Sequence, residues 1–231
     1  MIVLGIETAG PHGSVALLEP DAHGGPRVTQ TVITGTRQLG AELAPTIQRM
    51  LRAAGLGPGR PPDLVAVDTG PGSYTGLRIG LAAAKGLAFA WGRPLLGVPA
   101  LDALEALAPA GGRVVCALDA SRGQVYAATF LRTPDGLMRE QPAALHDPAI
   151  LRQATAEPAV VVGDAAEQVS DPERGVIAAP GISWPTAEVV ARLAYARFAA
   201  GERHDALRLS PIYFHLNEAE ERRRKRGMRV G

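Results

Sequence analysis

Three groups of residues have the types for chemistry. Leu64 to Val67 is an apolar run ending in Asp68, and Gly70, Gly72 and Gly76 follow it within GPGSYTGLRIG. A glycine-rich turn between a strand and a helix can hold phosphate on free backbone N–H groups. The spacing Gly-x-Gly-x-x-x-Gly is one residue longer than the dinucleotide fingerprint, and no acid ends the next strand, Leu95 to Val98. No Lys-Ser or Lys-Thr pair completes a P-loop either. A second group is Glu7 with Thr8 and Asp119 with Ser121, each at the end of an apolar run. ATP use would want an acid–Gly–Ser/Thr turn in both places and a glycine pair to admit adenine, whereas here Gly163 stands alone. Those two turns are expected to retain at most vestigial nucleotide binding, with no cofactor. The third group, Ser73, His12 and Asp68, has the residue types of a peptidase, but their spacing makes no triad. A nucleotide-binding enzyme and a peptidase-like hydrolase are therefore the rival readings. The histidines, at 12, 23, 146, 204 and 215, include no pair four apart on a helix, so no metal site is expected.

The elements that must position these residues can be read from periodicity. Ile2 to Ile6, Ser14 to Leu18 and Val28 to Ile33 read as three strands, and Leu39, Leu43, Ile47, Met50 and Leu51 mark one face of a helix containing Pro45. The strand ending at Asp68 follows, then a helix starting near Gly76, with Ser73 or Thr75 as its cap. Gly76, Gly80, Ala84 and Ala88 lie at i, i+4 spacing along that helix, and Ala82, Gly86 and Ala90 at another such set. Glycine inside a helix costs about 1 kcal/mol relative to alanine, so Gly80 and Gly86 need an offsetting close approach. A sheet of the same domain and a helix of another chain both fit. Arg78 opposes the helix dipole and is expected to have an acidic partner, in this chain or another.

The second half repeats the first. LGIETAGPHGSVALL and CALDASRGQVYAATF share strand, acid, turn, Gly-x-Val and strand. Further strands are expected at Gly136 to Leu145 and Ala159 to Val162, with helices at Pro148 to Ala154 and Thr186 to Ala200. Each half thus reads as a three-strand meander, a helix, a strand and a helix.

Composition narrows the class. The chain has 231 residues, 46% hydrophobic and 20% charged, which suits a soluble globular protein with ample core. The longest apolar run is broken by Lys85 and Gly86, and MIVLGIETAG lacks a basic lead, so no membrane span and no signal peptide are expected. The single Cys116, inside VVCAL, reads as inert core and fits a reducing, cytoplasmic setting. Net charge is +1, but residues 218 to 231, with Arg222, Arg223, Arg224, Lys225, Arg226 and Arg229, carry +3 and leave −2 for the body. The body is therefore no broad nucleic-acid surface; the tail reads first as a solvated end, with RNA phosphate the other reading.

A duplicated unit with an acid at each first turn resembles the actin-like and sugar-kinase superfamily, α/β proteins built of two RNase H-like halves. The stretches GPGSYTGLRIG, AKGLA and GVPALDAL, with GIET, SVAL, ALDASRGQVYAATF and PIYFHLNEAE, more specifically resemble the bacterial TsaB (YeaZ) family. The resemblance implies a noncatalytic partner of the subunit that transfers threonylcarbamoyl to the adenosine next to the anticodon of certain tRNAs. A TsaD-type catalytic paralogue and a small TsaE-type P-loop ATPase are the implied partners, with a homodimer when the paralogue is absent and tRNA contact only within the complex. The implied docking face comprises Leu39, Leu43 and Ile47 of one helix and Gly72, Ser73, Tyr74, Thr75, Gly76, Arg78, Gly80 and Ala84 of the next. Gly80 and Ala84 are expected to permit the partner's close approach. The implied halves are residues 1–108 and 109–231, with the last helix and tail returning to the first. Two departures stand out: Glu7 occupies a position where the family often has Asp, and TRQLGAELAP lacks a histidine the family often carries.

Overall fold

The computed structural model describes residues 1–21, 25–35 and 38–214. The basic tail, His23 and His215 lie outside these residues. Two five-stranded mixed sheets form the frame.

In the first sheet, β1 (Val3–Glu7) runs antiparallel to β2 (Gly13–Pro20), and β2 antiparallel to β3 (Pro26–Ile33). On its other side β1 pairs in parallel with β4 (Leu64–Asp68), which pairs in parallel with β5 (Leu95–Val98). β1 and β4 are buried throughout, as their unbroken apolar runs require of strands covered on both faces. Between them lies α1 (Leu39–Ala53), which continues through Pro45. α2 (Tyr74–Trp91) follows β4. Ser73 caps it by accepting from the Gly76 N–H at 3.2 Å, and Gly92 ends it in a left-handed conformation, φ 60°.

The second sheet repeats the order. β6 (Gly112–Asp119) is flanked by antiparallel β7 (Val125–Thr133), then β8 (Gly136–His146), and on the other side by parallel β9 (Ala159–Val162) and β10 (Val176–Ala178). Each sheet thus has the arrangement of an RNase H-like half, the fold implied by the resemblance. The sequence reading lacks β10 and the short helix α5 (Ala166–Val169), which follow α4 (Pro148–Ala154). Both are too short for periodicity to show.

Helices cross between the halves. α1 and α2 share a core with one face of the first sheet, through Leu43, Ile47, Leu81, Ala84, Ile6 and Val67. The opposite face is covered by α6 (Ala187–Ala199), through Val190, Ala191 and Ala194. Gly5 is obligatory beneath it, since a Cβ there would strike the Ala187 carbonyl. α3 (Ala100–Leu107) packs instead on the second sheet, through Leu101, Leu104, Cys116 and Phe130.

Candidate functional site

Two places bring the singled-out residues together: the cleft between the sheets, and the outer face of α1 and α2. The cleft is a cavity of about 470 Å³ whose walls include Gly10, Tyr74, Asp119, Tyr126, Asp164 and Trp184.

Its turns are already occupied by the chain's own carboxylates. Glu7 Oε1 accepts from the Ala9 and Gly10 N–H groups at 2.6 and 2.8 Å. In the second half, Asp119 Oδ1 accepts from the Ser121 N–H at 2.9 Å, while the Asp119 N–H donates to Asp164 Oδ1 at 2.8 Å. Asp164 Oδ2 in turn accepts from Trp184 Nε1 at 3.1 Å. N–H groups that could face a phosphate are thus spent on carboxylates, and Asp119 and Asp164 would repel one.

The glycine-rich turn is likewise filled. A Cβ on Gly76 would collide with the Thr8 carbonyl, one on Gly80 with Thr8 Oγ1, and one on Gly72 with Ala9. Thr8 Oγ1 donates to the Gly76 carbonyl at 2.8 Å, and the Ser73 N–H to the Ala9 carbonyl at 2.8 Å. The turn after β1 therefore lies where a dinucleotide phosphate would approach the start of α2. The peptidase types are not assembled either. Ser73 Oγ caps α2, His12 is exposed, and Asp68 accepts from the Gly70 N–H at 2.7 Å beneath the turn.

Asp68 has a different neighbour, Glu7. The register Ile6 opposite Val67 makes Glu7 and Asp68 adjacent ends of parallel strands, with side chains on the same face. Each is only 1% exposed, and Asp68 Oδ2 has no hydrogen-bond partner among the described residues. Burial pushes both carboxyls up, Glu7 to about 8, with the neighbouring Asp68 charge adding to it, and Asp68 to about 7; the turn N–H groups oppose these shifts. A carboxyl pair of this kind retains protons near neutrality. The sequence shows each acid at the end of an apolar run but not their adjacency, which depends on strand order. Among the described residues no group of three or more His, Cys, Asp or Glu side chains is placed to hold a metal ion.

On α2 the two small-residue sets separate. Gly76, Gly80, Ala84 and Ala88 are buried against the chain's own first half. This corrects the expectation that Gly80 and Ala84 meet a partner: the close approach they permit is to Thr8 and the sheet. Leu39, Leu43 and Ile47 are also buried in the first core. Ser73, Tyr74, Thr75 and Arg78 are exposed, and Gly72 is half-buried. Arg78 lies 4.7 Å over the Tyr74 ring and makes no ion pair among the described residues.

The other set, Ala82, Gly86 and Ala90, faces outward. Among the described residues, a Cβ on Gly86 would meet nothing within 4 Å. Beside it an apolar groove of about 610 Å³ runs between α1 and α2, lined by Ala44, Ile47, Leu51, Ala83, Leu87 and Trp91 among others. Phe89, on the same helix, is 87% exposed.

Comparison with known proteins agrees with this architecture. Residues 34–149 match the family model of TsaD, tRNA N6-adenosine threonylcarbamoyltransferase. The tRNA threonylcarbamoyladenosine biosynthesis protein TsaB of Escherichia coli is 32% identical over 165 residues, covering 67% of this chain and 71% of that one. TsaB of Bacillus subtilis is 28% identical over 95% of this chain and 96% of that one. A Pseudomonas aeruginosa crystal structure, described as similar to peptidase YeaZ, superposes with a TM-score of 0.76 at 27% identity, over 93% of this chain and 99% of that one. The chain belongs to the TsaB (YeaZ) family, a paralogue of TsaD, and is a protein of tRNA threonylcarbamoyladenosine biosynthesis.

Proposed function

We propose that the chain is a noncatalytic scaffold of the threonylcarbamoyladenosine-forming complex, which docks a TsaD-type catalytic paralogue on the outer face of α1 and α2. The observation that carries this reading is Gly86. A glycine in a helix interior costs about 1 kcal/mol. At Gly80 that cost is offset by the approach of Thr8, but at Gly86 none of the described residues approaches. Its small neighbours Ala82 and Ala90, the adjoining groove and the exposed Phe89 are features of a face covered by another helix.

The absence of a catalytic role rests on the cleft, where the turn N–H groups serve Glu7, Asp119 and Asp164. Those turns favour neither triphosphate binding nor hydrolysis. The complex would also contain a TsaE-type P-loop ATPase, with tRNA bound only by the assembly. A second copy of the chain competes for the same apolar face when the paralogue is absent.

The test is co-purification with the organism's own TsaD-type paralogue, using wild type and Gly86→Arg. The open space at Gly86 lets arginine fit the free chain while obstructing the face. Retained folding with lost pairing is the expected result. A complex that tolerates Gly86→Arg, or ATP turnover by the chain alone, would contradict the proposal.

A further inference from the structure

Residues 202–214, after α6, form no helix or strand, yet they are fastened along their length. His204 Nδ1 accepts from the Gly97 N–H of β5 at 3.0 Å, while Nε2 lies 2.9 Å from Glu202. The Leu207 carbonyl accepts from Lys85 Nζ of α2 at 3.1 Å. Leu209 lies against Gly97, where a Cβ would crowd it, and the Ile212 N–H donates to the Thr69 carbonyl at 2.8 Å. The partners of His204, Leu207, Leu209 and Ile212 that lie outside the segment, Gly97, Lys85 and Thr69, belong to the first half.

The next two residues diverge. Tyr213 packs on Tyr74 at the start of α2, ring centroids 5.2 Å apart, and Phe214 packs on Tyr126 of β7 in the second sheet, at 5.5 Å. Tyr74 and Tyr126 both line the cleft. Consecutive residues therefore place one ring on each wall.

Other contacts join the halves elsewhere. The Trp184 ring covers Gly10, linking the β10 side to the turn after β1. On α3, Asp102 pairs with Arg139 of β8 and, at 2.7 Å, with Arg197 of α6, while Glu105 pairs with Arg132 of β7 at 2.5 Å. Relative domain motion is the default unless the interface is large and apolar; with α3 and α6 each packed on the other half's sheet, the motion left to restrain is the opening of the cleft. Here contacts surround the cleft; Trp184 meets Gly10 across it, and Tyr213 and Phe214 span it from a segment already ordered upstream. Because that segment is held in place, closing the last contact is an intramolecular step with little further loss of freedom.

We infer that residues 202–214 are an interdomain clasp that fixes the opening of the cleft, with Tyr213 and Phe214 as its catch. The clasp also holds α2 through Lys85 and Tyr74, so the outer face of α2 and the second half are presented as one rigid body. This inference stands on the intrachain contacts and holds whichever partner covers α2.

The experiment uses spin labels on Arg60→Cys in the first half and Asp135→Cys in the second, both exposed, with Cys116 buried and unreactive. Pulsed EPR would measure the interlabel distance in the full chain, in a chain ended after Phe214, and in Tyr213→Ala/Phe214→Ala. A single narrow distribution is expected in the first two, and one at least twofold broader in the third. A swap, Tyr213→Phe/Phe214→Tyr, keeps both rings and should restore the narrow distribution, which separates loss of the catch from general unfolding. Equal widths in all four proteins would overturn the clasp. Broadening on removal of residues 215–231 alone would also overturn it, because the restraint would then belong to the tail.

Discussion

Glu7 and Asp68 are a buried carboxyl pair at the adjacent ends of two parallel strands. Both are raised by burial, Glu7 also by Asp68, so the folded pair holds protons to about pH 8 and about 7, whereas in the unfolded chain both ionise near pH 4. The folded state then binds more protons through that window, and stability falls as pH rises from about 4 to 8. Denaturant melts at pH 5 and pH 8 should show this loss. In Glu7→Gln the slope should flatten, and stability at pH 8 should rise by about 1 kcal/mol if the amide supplies the donor Asp68 Oδ2 lacks. An unchanged slope would mean that the pair does not titrate. The glycines give a second contrast at this scale. Gly80→Ala drives a Cβ into Thr8 and should cost about 1–3 kcal/mol. Gly86→Ala fills open space and should stabilise the free chain by about 1 kcal/mol. Thermal melts of the two variants should move in opposite directions.

At the scale of elements, the sequence carried most of the first half. The runs ending in Glu7 and Asp68 are strands because their residues are apolar without alternation, and Ser73 caps α2 as its position after a glycine turn suggests. What α2 could not reveal was which of its small-residue sets turns outward, since both repeat every four residues. Only the position of Thr8, fixed by β1 beside β4, assigns Gly76 and Gly80 to the interior. The segment from 202 to 214 was illegible for a related reason: its contacts are single hydrogen bonds and ring pairs, which leave no periodicity. One prediction belongs here. Ala82→Arg, exposed on the same face as Gly86, should leave the melting temperature of the free chain near wild type while weakening pairing at least tenfold by titration. Unaltered pairing would move the docking face off this side of α2.

Across the whole molecule, two copies of one unit are joined by exchanged helices, α3 on the second sheet and α6 on the first. The repeat was visible in the sequence as strand, acid, turn and strand; of the exchange, the resemblance implied only the return of the last helix to the first half, because an apolar helix face does not itself say which sheet it covers. The basic tail is a separate question at this scale. A chain ended after Asn217 should pair as well as the full chain, and any RNA affinity it loses should be salt-dependent, as expected of phosphate contacts. Equal RNA binding with and without the tail would reduce it to a solvated end.

Docking of a catalytic paralogue on the outer face of α1 and α2 can be read by size-exclusion chromatography with light scattering. Wild type and Gly86→Arg would each be run alone and mixed with the TsaD-type paralogue, with ATP turnover followed across the peaks. Wild type should give a mixed peak, Gly86→Arg none, and no turnover should appear where the chain elutes alone. A mixed peak of equal mass with Gly86→Arg, or turnover by the isolated chain, would contradict the proposed scaffold role.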